Sequence, residues 1–505
     1  MQRLTGIDAA FLALETPSAH MQVLGVAIVD PSTTPTPTRA KSPSSKPGSS
    51  KPGSSKTASP KSSRSNAPGA YFDRVHELLE ARLHLVQPLR RRLVEVPFGV
   101  HIPVWIEDPN FDLDYHLRRA ALPAPGGARE LTAFVADVAG RPLDRRHPLW
   151  EAYVVEGLEH GYQAFVTKVH HSLIDGAAGV EMIAALFDLE EGAPLEPAQP
   201  AEAWHPDAVP GDLEMLAHAV VSLAQSPAKV VRAVTNLVPG AVRFARRARN
   251  EALDVALPLT APRLSMNRTI TPHRAVAFSS VSLDEVKAVK NALGVTVNDV
   301  VLTVTAGALR IYLSGRDELP DRPLVASIPT SVRAEGDDRF GNRVSSMFAG
   351  LPVEIDDPIE RLRAVASSMT GAKVMHEDMG GTTLEDWAEV AAPALFSRAM
   401  RAYTRLRVGE RLRPVINLIM SNVPGPPWPL YLAGARLVAL HPLGPIFDDC
   451  GLNVTVISYL DHVDFGFLAS RELLPDVDDL AAAVPEAFAE LVKATAAVTA
   501  ESLNA

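Results

Sequence analysis

The chain has 505 residues, 47% apolar and 21% charged, so it is too long for one ordinary core and too apolar for wholesale disorder; two domains, or three, are expected. Its single cysteine, Cys450, excludes an intrachain disulfide framework and a cysteine-rich metal site, and fits a reducing compartment. The net charge of −10 is uneven, with +7 on residues 31–70 and −17 on the rest, and so acidic a body excludes non-specific nucleic-acid binding.

Met1 to His20 carries Asp8 and Glu15 inside its apolar stretch and lacks a basic region followed by a long apolar core, so no signal peptide is expected. No uninterrupted apolar run reaches about 18 residues, so no membrane-spanning helix is expected. Ile7 to Leu14 is spaced for a short helix, and Val-rich Met21 to Val29 for a strand. Residues 31–68 are mostly Pro, Ser, Thr and Lys, with Lys-Pro-Gly-Ser-Ser repeated at 46–50 and 51–55. Such a segment buries too little apolar surface to offset its ordering entropy, and it predicts a disordered insertion in a surface loop. A basic tether to an anionic surface is the competing reading.

Phe72 to Leu83 has the pattern of an amphipathic helix, and His101 to Ile106 that of a strand. Asp114 to His116 reads as a strand-like link and Leu131 to Ala139 as a helix. Trp150 to Val155 and Tyr162 to Val169 read as paired strands turning at Gly157 to Gly161. A helix is expected over Ala177 to Leu189, with Val180, Ile183, Ala184 and Phe187 on its buried face. Met215 to Asn250 contains no acid and carries Lys229, Arg232, Arg243, Arg246, Arg247 and Arg249 among apolar residues, with breaks at Pro227 and Pro239. It reads as a basic helical linker, or as a helix resting on an anionic lipid surface. Beyond it, strands are expected at Arg274 to Val281, Leu324 to Ile328, Val344 to Leu351, Val415 to Ser421, Leu437 to Leu440, Leu452 to Tyr459 and Val463 to Ala469. Helices are expected at Leu283 to Leu293, Val297 to Leu313, Asp357 to Glu377 and Leu480 to Val498. The class is mixed α/β, divided into residues 1–200, a linker at 201–265 and a second domain at 266–505.

The densest polar cluster is His170-His171-Ser172-Leu173-Ile174-Asp175-Gly176, between a strand and a helix. Adjacent histidines at a strand end point to opposite faces, so one faces a cavity and the other supports it. A neutral imidazole suits proton removal from a hydroxyl or thiol. Other readings are a structural histidine pair, a metal site lacking its further ligands, Ser172 as a nucleophile without a Gly-x-Ser-x-Gly elbow, or Cys450 as a nucleophile without a signature.

The cluster resembles the His-His-x-x-x-Asp-Gly signature of the CoA-dependent acyltransferase superfamily. Other stretches resemble its bacterial wax ester synthase/diacylglycerol acyltransferase family, of the mycobacterial triacylglycerol synthase type. They are Leu4 to Pro17, Arg141-Pro142-Leu143-Asp144 with Pro148-Leu149-Trp150-Glu151, Asn298-Asp299 within Val297 to Leu302, Pro329 to Arg333, Gly341 to Ser345 and Ser421 to Pro426. The resemblance implies two chloramphenicol-acetyltransferase-like domains forming a pseudo-dimer with a tunnel at their interface. It implies transfer of a long-chain acyl group from acyl-CoA, a co-substrate, to diacylglycerol or a fatty alcohol, with no bound cofactor and no metal. His171 would be the general base, His170 its support, Asp175 an anchor for the loop and Gly176 a close-packing position. Asn298 is a candidate oxyanion donor, or equally a helix N-cap with Asp299 in the first turn. A cytoplasmic protein in peripheral contact with the inner membrane or lipid droplets is expected. The same chemistry on another hydroxyl or amine acceptor, and an inactive lipid-surface binding protein, are the alternatives.

Overall fold

The structure, a computed structural model, describes residues 2–34, 69–97, 102–174, 176–193, 255–331, 342, 344–379 and 413–504, with isolated positions between 210 and 248 and at 402 and 406. The expected insertion at 31–68 and the linker at 201–265 lie largely outside the described residues.

The first half runs β1 (Gln2–Arg3), α1 (Gly6–Leu14), β2 (Gln22–Asp30), α2 (Ala70–Arg82), β3 (Arg91–Val94), β4 (Val104–Glu107), α3 (Leu113–His116), β5 (Leu117–Ala121), α4 (Ala128–Ala139), β6 (Trp150–Glu156), β7 (Gln163–His170) and α5 (Gly176–Leu186). The second half runs β8 (Arg274–Ser282), α6 (Leu283–Leu293), α7 (Val297–Ser314), β9 (Leu324–Ser331), β10 (Val344–Leu351), α8 (Pro358–Met379), β11 (Leu418–Val423), β12 (Tyr431–Leu432), β13 (Ala435–Leu443), β14 (Leu452–Tyr459), β15 (His462–Ser470) and α9 (Val477–Asn504). Each half is built on a six-stranded mixed sheet, ordered β12-β13-β2-β7-β6-β5 in the first and β10-β9-β11-β14-β15-β8 in the second. A small sheet, β1-β4-β3, flanks the first.

The two sheets share chain. β12 and β13 arise within the expected 266–505 domain but join the first sheet, with β13 antiparallel to β2 and Pro442 opposite Gly25. The division expected at residue 266 is therefore crossed by backbone hydrogen bonds. The halves also meet through α4, which packs on β8, and through Arg274, whose guanidinium donates to the carbonyl of Ser18.

Two local expectations are corrected. Asp114 to His116 is not strand-like. It forms the single turn α3, because the Asp112 carboxylate accepts from the Asp114 N–H and starts a helix; the strand, β5, begins only at Leu117. The helix after the histidine motif starts at Gly176 and ends at Leu186, short of Leu189, and its expected face is only partly buried. Val180 and Ile183 are half-buried because they line a cavity rather than packed core, and Ala184 is exposed.

The strands alternate as half-buried strands must. Along β7, Phe165, Thr167 and Val169 face the cavity side, while Val166 and Lys168 face α4. Lys168 is 1% exposed; its ammonium lies 3.1 Å from Glu151 Oε2 and donates to the carbonyls of Val138 and Arg141.

Candidate active site

Strand β7 delivers the two histidines to the end of the first sheet. The His170 N–H donates to the carbonyl of Leu149, that of His171 to Met21, and that of Leu173 back to His170, which turns the chain sharply. The side chains part as alternation requires. His170 is 1% exposed, whereas His171 is half-buried and lines the cavity.

His170 is held from within the turn. Its Nδ1 accepts from the Ser172 N–H at 3.1 Å and lies 2.7 Å from the Ser172 hydroxyl. With Nδ1 accepting, the ring proton sits on Nε2, which points toward Glu15 Oε2 at 3.9 Å. Burial, with Arg145 and His171 nearby, pushes the His170 pKa well below its ordinary value, so the ring stays neutral. Glu15 is itself anchored by Arg145, whose Nε and terminal nitrogen donate to it at 3.0 and 2.5 Å. Ser172 is buried and engaged with His170, which removes it as a nucleophile for His171.

His171 is framed from two sides. The Phe11 ring of α1 stacks on its imidazole with centroids 4.1 Å apart and planes 17° apart. From the second half, Asn342 Nδ2 donates to the main-chain carbonyl of His171 and to Asp8 Oδ1, each at 2.6 Å. Asp8 is also the reciprocal cap of α1: its Oδ2 accepts from the Thr5 N–H, and Thr5 Oγ1 accepts from the Asp8 N–H. One amide thus ties the helix carrying Phe11 to the strand end carrying His171. Phe11 and Asn342 stand inside stretches that resemble the family, but the spacing of neither reveals its contact with His171.

Asp175 lies outside the described residues, and Gly176 is the first residue of α5. The Asn298 N-cap expectation is corrected. Thr296 is the cap of α7, because its hydroxyl accepts from the Asp299 N–H, and Asp299 Oδ2 accepts in turn from the Thr296 N–H at 2.9 Å. Asp299, buried at the helix start, is the other half of that cap. Asn298 Oδ1 instead accepts from Asn422 Nδ2 at 3.2 Å, and Asn422 lines the cavity. Cys450 is fully buried and its thiol is pushed up to about 12 by burial, so it supplies no thiolate. Among the described residues no group of His, Cys, Asp and Glu has the arrangement of a metal site.

The cavity measures about 990 Å³ and lies between the two halves. The first half gives it an apolar wall that includes Phe11, Val23, Val169 and Phe187. The second half adds hydroxyls and amides, among them Ser327, Thr330, Asn422 and Thr455. A long apolar ligand with a reactive polar head fits this division.

Comparison with known proteins agrees with the geometry. The profile of the wax ester synthase/diacylglycerol acyltransferase catalytic domain matches residues 4–301, and that of the C-terminal domain of the same family matches residues 340–492. A Mycobacterium tuberculosis protein named as a diacylglycerol O-acyltransferase is 36% identical over 98% of this chain and 90% of its own. The solved wax ester synthase/diacylglycerol acyltransferase of Marinobacter aquaeolei VT8 superposes with a TM-score of 0.64 at 28% identity, covering 97% of this chain and 98% of that one. The first condensation domain of the calcium-dependent antibiotic synthetase shares the fold, with a TM-score of 0.55 at 14% identity over 98% of this chain and 96% of its own.

Proposed function

The chain belongs to the wax ester synthase/diacylglycerol acyltransferase family, and we propose that it moves a long-chain acyl group from acyl-CoA to the hydroxyl of diacylglycerol, giving triacylglycerol and free CoA, and makes wax ester from a long-chain alcohol by the same route. The observation that carries this reading is a half-buried imidazole, His171, stacked on Phe11 at the wall of a large, mostly apolar cavity between two halves.

In this scheme His171 is the general base. It removes the proton of the acceptor hydroxyl as the oxygen attacks the thioester carbonyl. The tetrahedral intermediate collapses with loss of the CoA thiolate, which takes the proton back from the imidazolium. No acyl-enzyme forms, consistent with a Ser172 hydroxyl already engaged and a Cys450 thiol locked in the core. His170 acts through the backbone: kept neutral, it holds the turn that orients His171. Asn422, partnered by Asn298, is an amide at the cavity wall suited to donate to the developing oxyanion.

Contact with a membrane or lipid-droplet surface follows from so apolar an acceptor. No single described helix is long and apolar enough to cross a membrane, so that contact is proposed as peripheral. The basic segment is less free for it than its charge suggests. Arg243 donates to the Asp378 carbonyl at 2.9 Å, and Arg247 lies 3.9 Å from Glu377, both at the end of α8.

The test is turnover of purified protein on palmitoyl-CoA with dioleoylglycerol and hexadecanol offered in parallel, following CoA release and lipid products together. Ester forming in step with CoA supports the scheme. CoA release without ester, or no release from any acyl-CoA, overturns it. His171→Ala is expected to lose roughly 10²–10⁴-fold in kcat while remaining folded.

A further inference from the structure

Three strands of the first sheet form the cavity floor, and their register sorts its lining into rows. Val23 lies opposite Val169. Gly25 lies opposite Thr167 on one side and Pro442 on the other. Ala27 lies opposite Phe165 and Leu440. All of these line the cavity, and the rows recede from His171 along β7. At about 3.3 Å of rise per residue, Thr167 stands roughly 13 Å and Phe165 roughly 20 Å from His171.

The middle row is the low one. Gly25 sits in the interior of β2, where glycine weakens a strand and where it recurs when a ligand approaches the backbone closely. A Cβ built there would meet one neighbour beyond the adjacent residues, Thr167 Oγ1 at 3.0 Å; its other directions are open, toward the cavity. The Thr167 hydroxyl lies down toward the Gly25 carbonyl, 3.4 Å away, rather than standing across the gap.

We infer that the Gly25 row is a slot through which a long alkyl chain of a substrate passes, so that Gly25 sets the length of chain the enzyme accepts. The inference rests on His171 as the reacting centre. A chain ending before this row never meets it; a longer one lies across the bare Gly25 backbone, toward Ala27 and Phe165. A side chain at position 25 would close that path.

The experiment compares wild type with Gly25→Ala and Gly25→Val. Valine suits a strand, and alanine is the smaller step should valine crowd Thr167. Turnover is measured on octanoyl- and palmitoyl-CoA with one acceptor, then on octanol and hexadecanol with one acyl-CoA. The long-to-short ratio is expected to fall about tenfold or more in Gly25→Val, and less in Gly25→Ala. A fall in the acyl-CoA series assigns the slot to the donor chain; a fall in the alcohol series assigns it to the acceptor. An unchanged ratio in both series, in folded variants, overturns the slot. Calorimetric binding of octanoyl- and palmitoyl-CoA to the same proteins reads the slot without turnover, so a wild type that binds but does not transfer overturns the catalytic reading alone. Loss of the palmitoyl preference in binding to Gly25→Val sustains the slot as the donor chain's, and an unchanged preference together with an unchanged alcohol ratio overturns it.

Discussion

The side-chain amide of Asn342 donates at 2.6 Å to the main-chain carbonyl of His171, across 171 positions of sequence and from one half of the protein to the other. The same nitrogen donates to Asp8 Oδ1, and the residue is 1% exposed. A buried amide with two strong acceptors is a fixed point, and the histidine proposed to move the proton hangs from it.

Removing that point should harm catalysis more than binding. Asn342→Ala is expected to lower kcat about 10- to 100-fold with little change in KM, since small misplacements of a reacting group cost that much. The exchange Asp8→Asn with Asn342→Asp separates two roles. The amide introduced at position 8 would donate to the carboxylate introduced at position 342 and still accept from the Thr5 N–H, restoring the tie to α1. The His171 carbonyl, however, would then face a carboxylate. We expect the unfolding midpoint to recover and kcat to stay low. Recovery of both would reduce Asn342 to a tie between the halves.

How much of this is legible in the sequence divides by distance along the chain. The strand–His-His–helix unit is local, and its signals of β-rich run, polar cluster and apolar helix all fall within residues 163–186. The opposed fates of His170 and His171 follow from strand alternation alone. The Asn342 contact does not, because nothing in Gly341-Asn342-Arg343 specifies a partner in the other half. Nor does the entry of β13 beside β2, since the apolar pattern of each strand says only that it needs a neighbour. β5, Leu117–Ala121, carries no strand signal because its sequence, Leu-Arg-Arg-Ala-Ala, has little strand preference; it forms because β6 offers a parallel edge.

Phe11 should matter through its ring. Phe11→Leu keeps an apolar side chain on α1 and removes the face that stacks on His171. Such aromatic pairs are worth about 0.5–1.5 kcal/mol beyond burial, so kcat should fall roughly 3- to 10-fold. A Leu variant with wild-type kcat would show that the stack does not orient the imidazole.

Acid should weaken the fold before the carboxylates titrate. Burial lowers the pKa of His20 to about 4 and that of His116 to about 4. His20 Nε2 donates to the Gly140 carbonyl, and His116 Nδ1 to that of Trp150. As pH falls below about 6.5 the unfolded chain binds these protons and the folded one resists them. The stability present above that pH is therefore lost as pH drops toward 4, by up to about 1.4 kcal/mol per unit for each histidine. Thermal midpoints between pH 7 and 4 check this, and a flatter profile is expected for His116→Gln.

The buried pair Lys168–Glu151 gives the last prediction, because it separates the stability of the first sheet from its chemistry. Burial lowers Lys168 against the pull of Glu151. Burial would raise Glu151, but the Lys168 charge and the hydrogen bonds to it outweigh that and hold the carboxyl below its ordinary range. Lys168→Met would strand that carboxylate beside Tyr153, whose hydroxyl donates to it at 2.8 Å, and Arg118, 3.5 Å away. Breaking a buried pair from one side costs about 3–5 kcal/mol, whereas replacing both partners with apolar groups is often neutral. Lys168→Met should therefore lower the unfolding midpoint markedly, and Lys168→Met with Glu151→Met should recover most of the loss. Lys168 faces α4 while His171 faces the cavity, so kcat below the unfolding midpoint should stay near wild type in both variants. A double variant as unstable as the single would mean that the carbonyls of Val138 and Arg141, left without their donor, carry the cost instead.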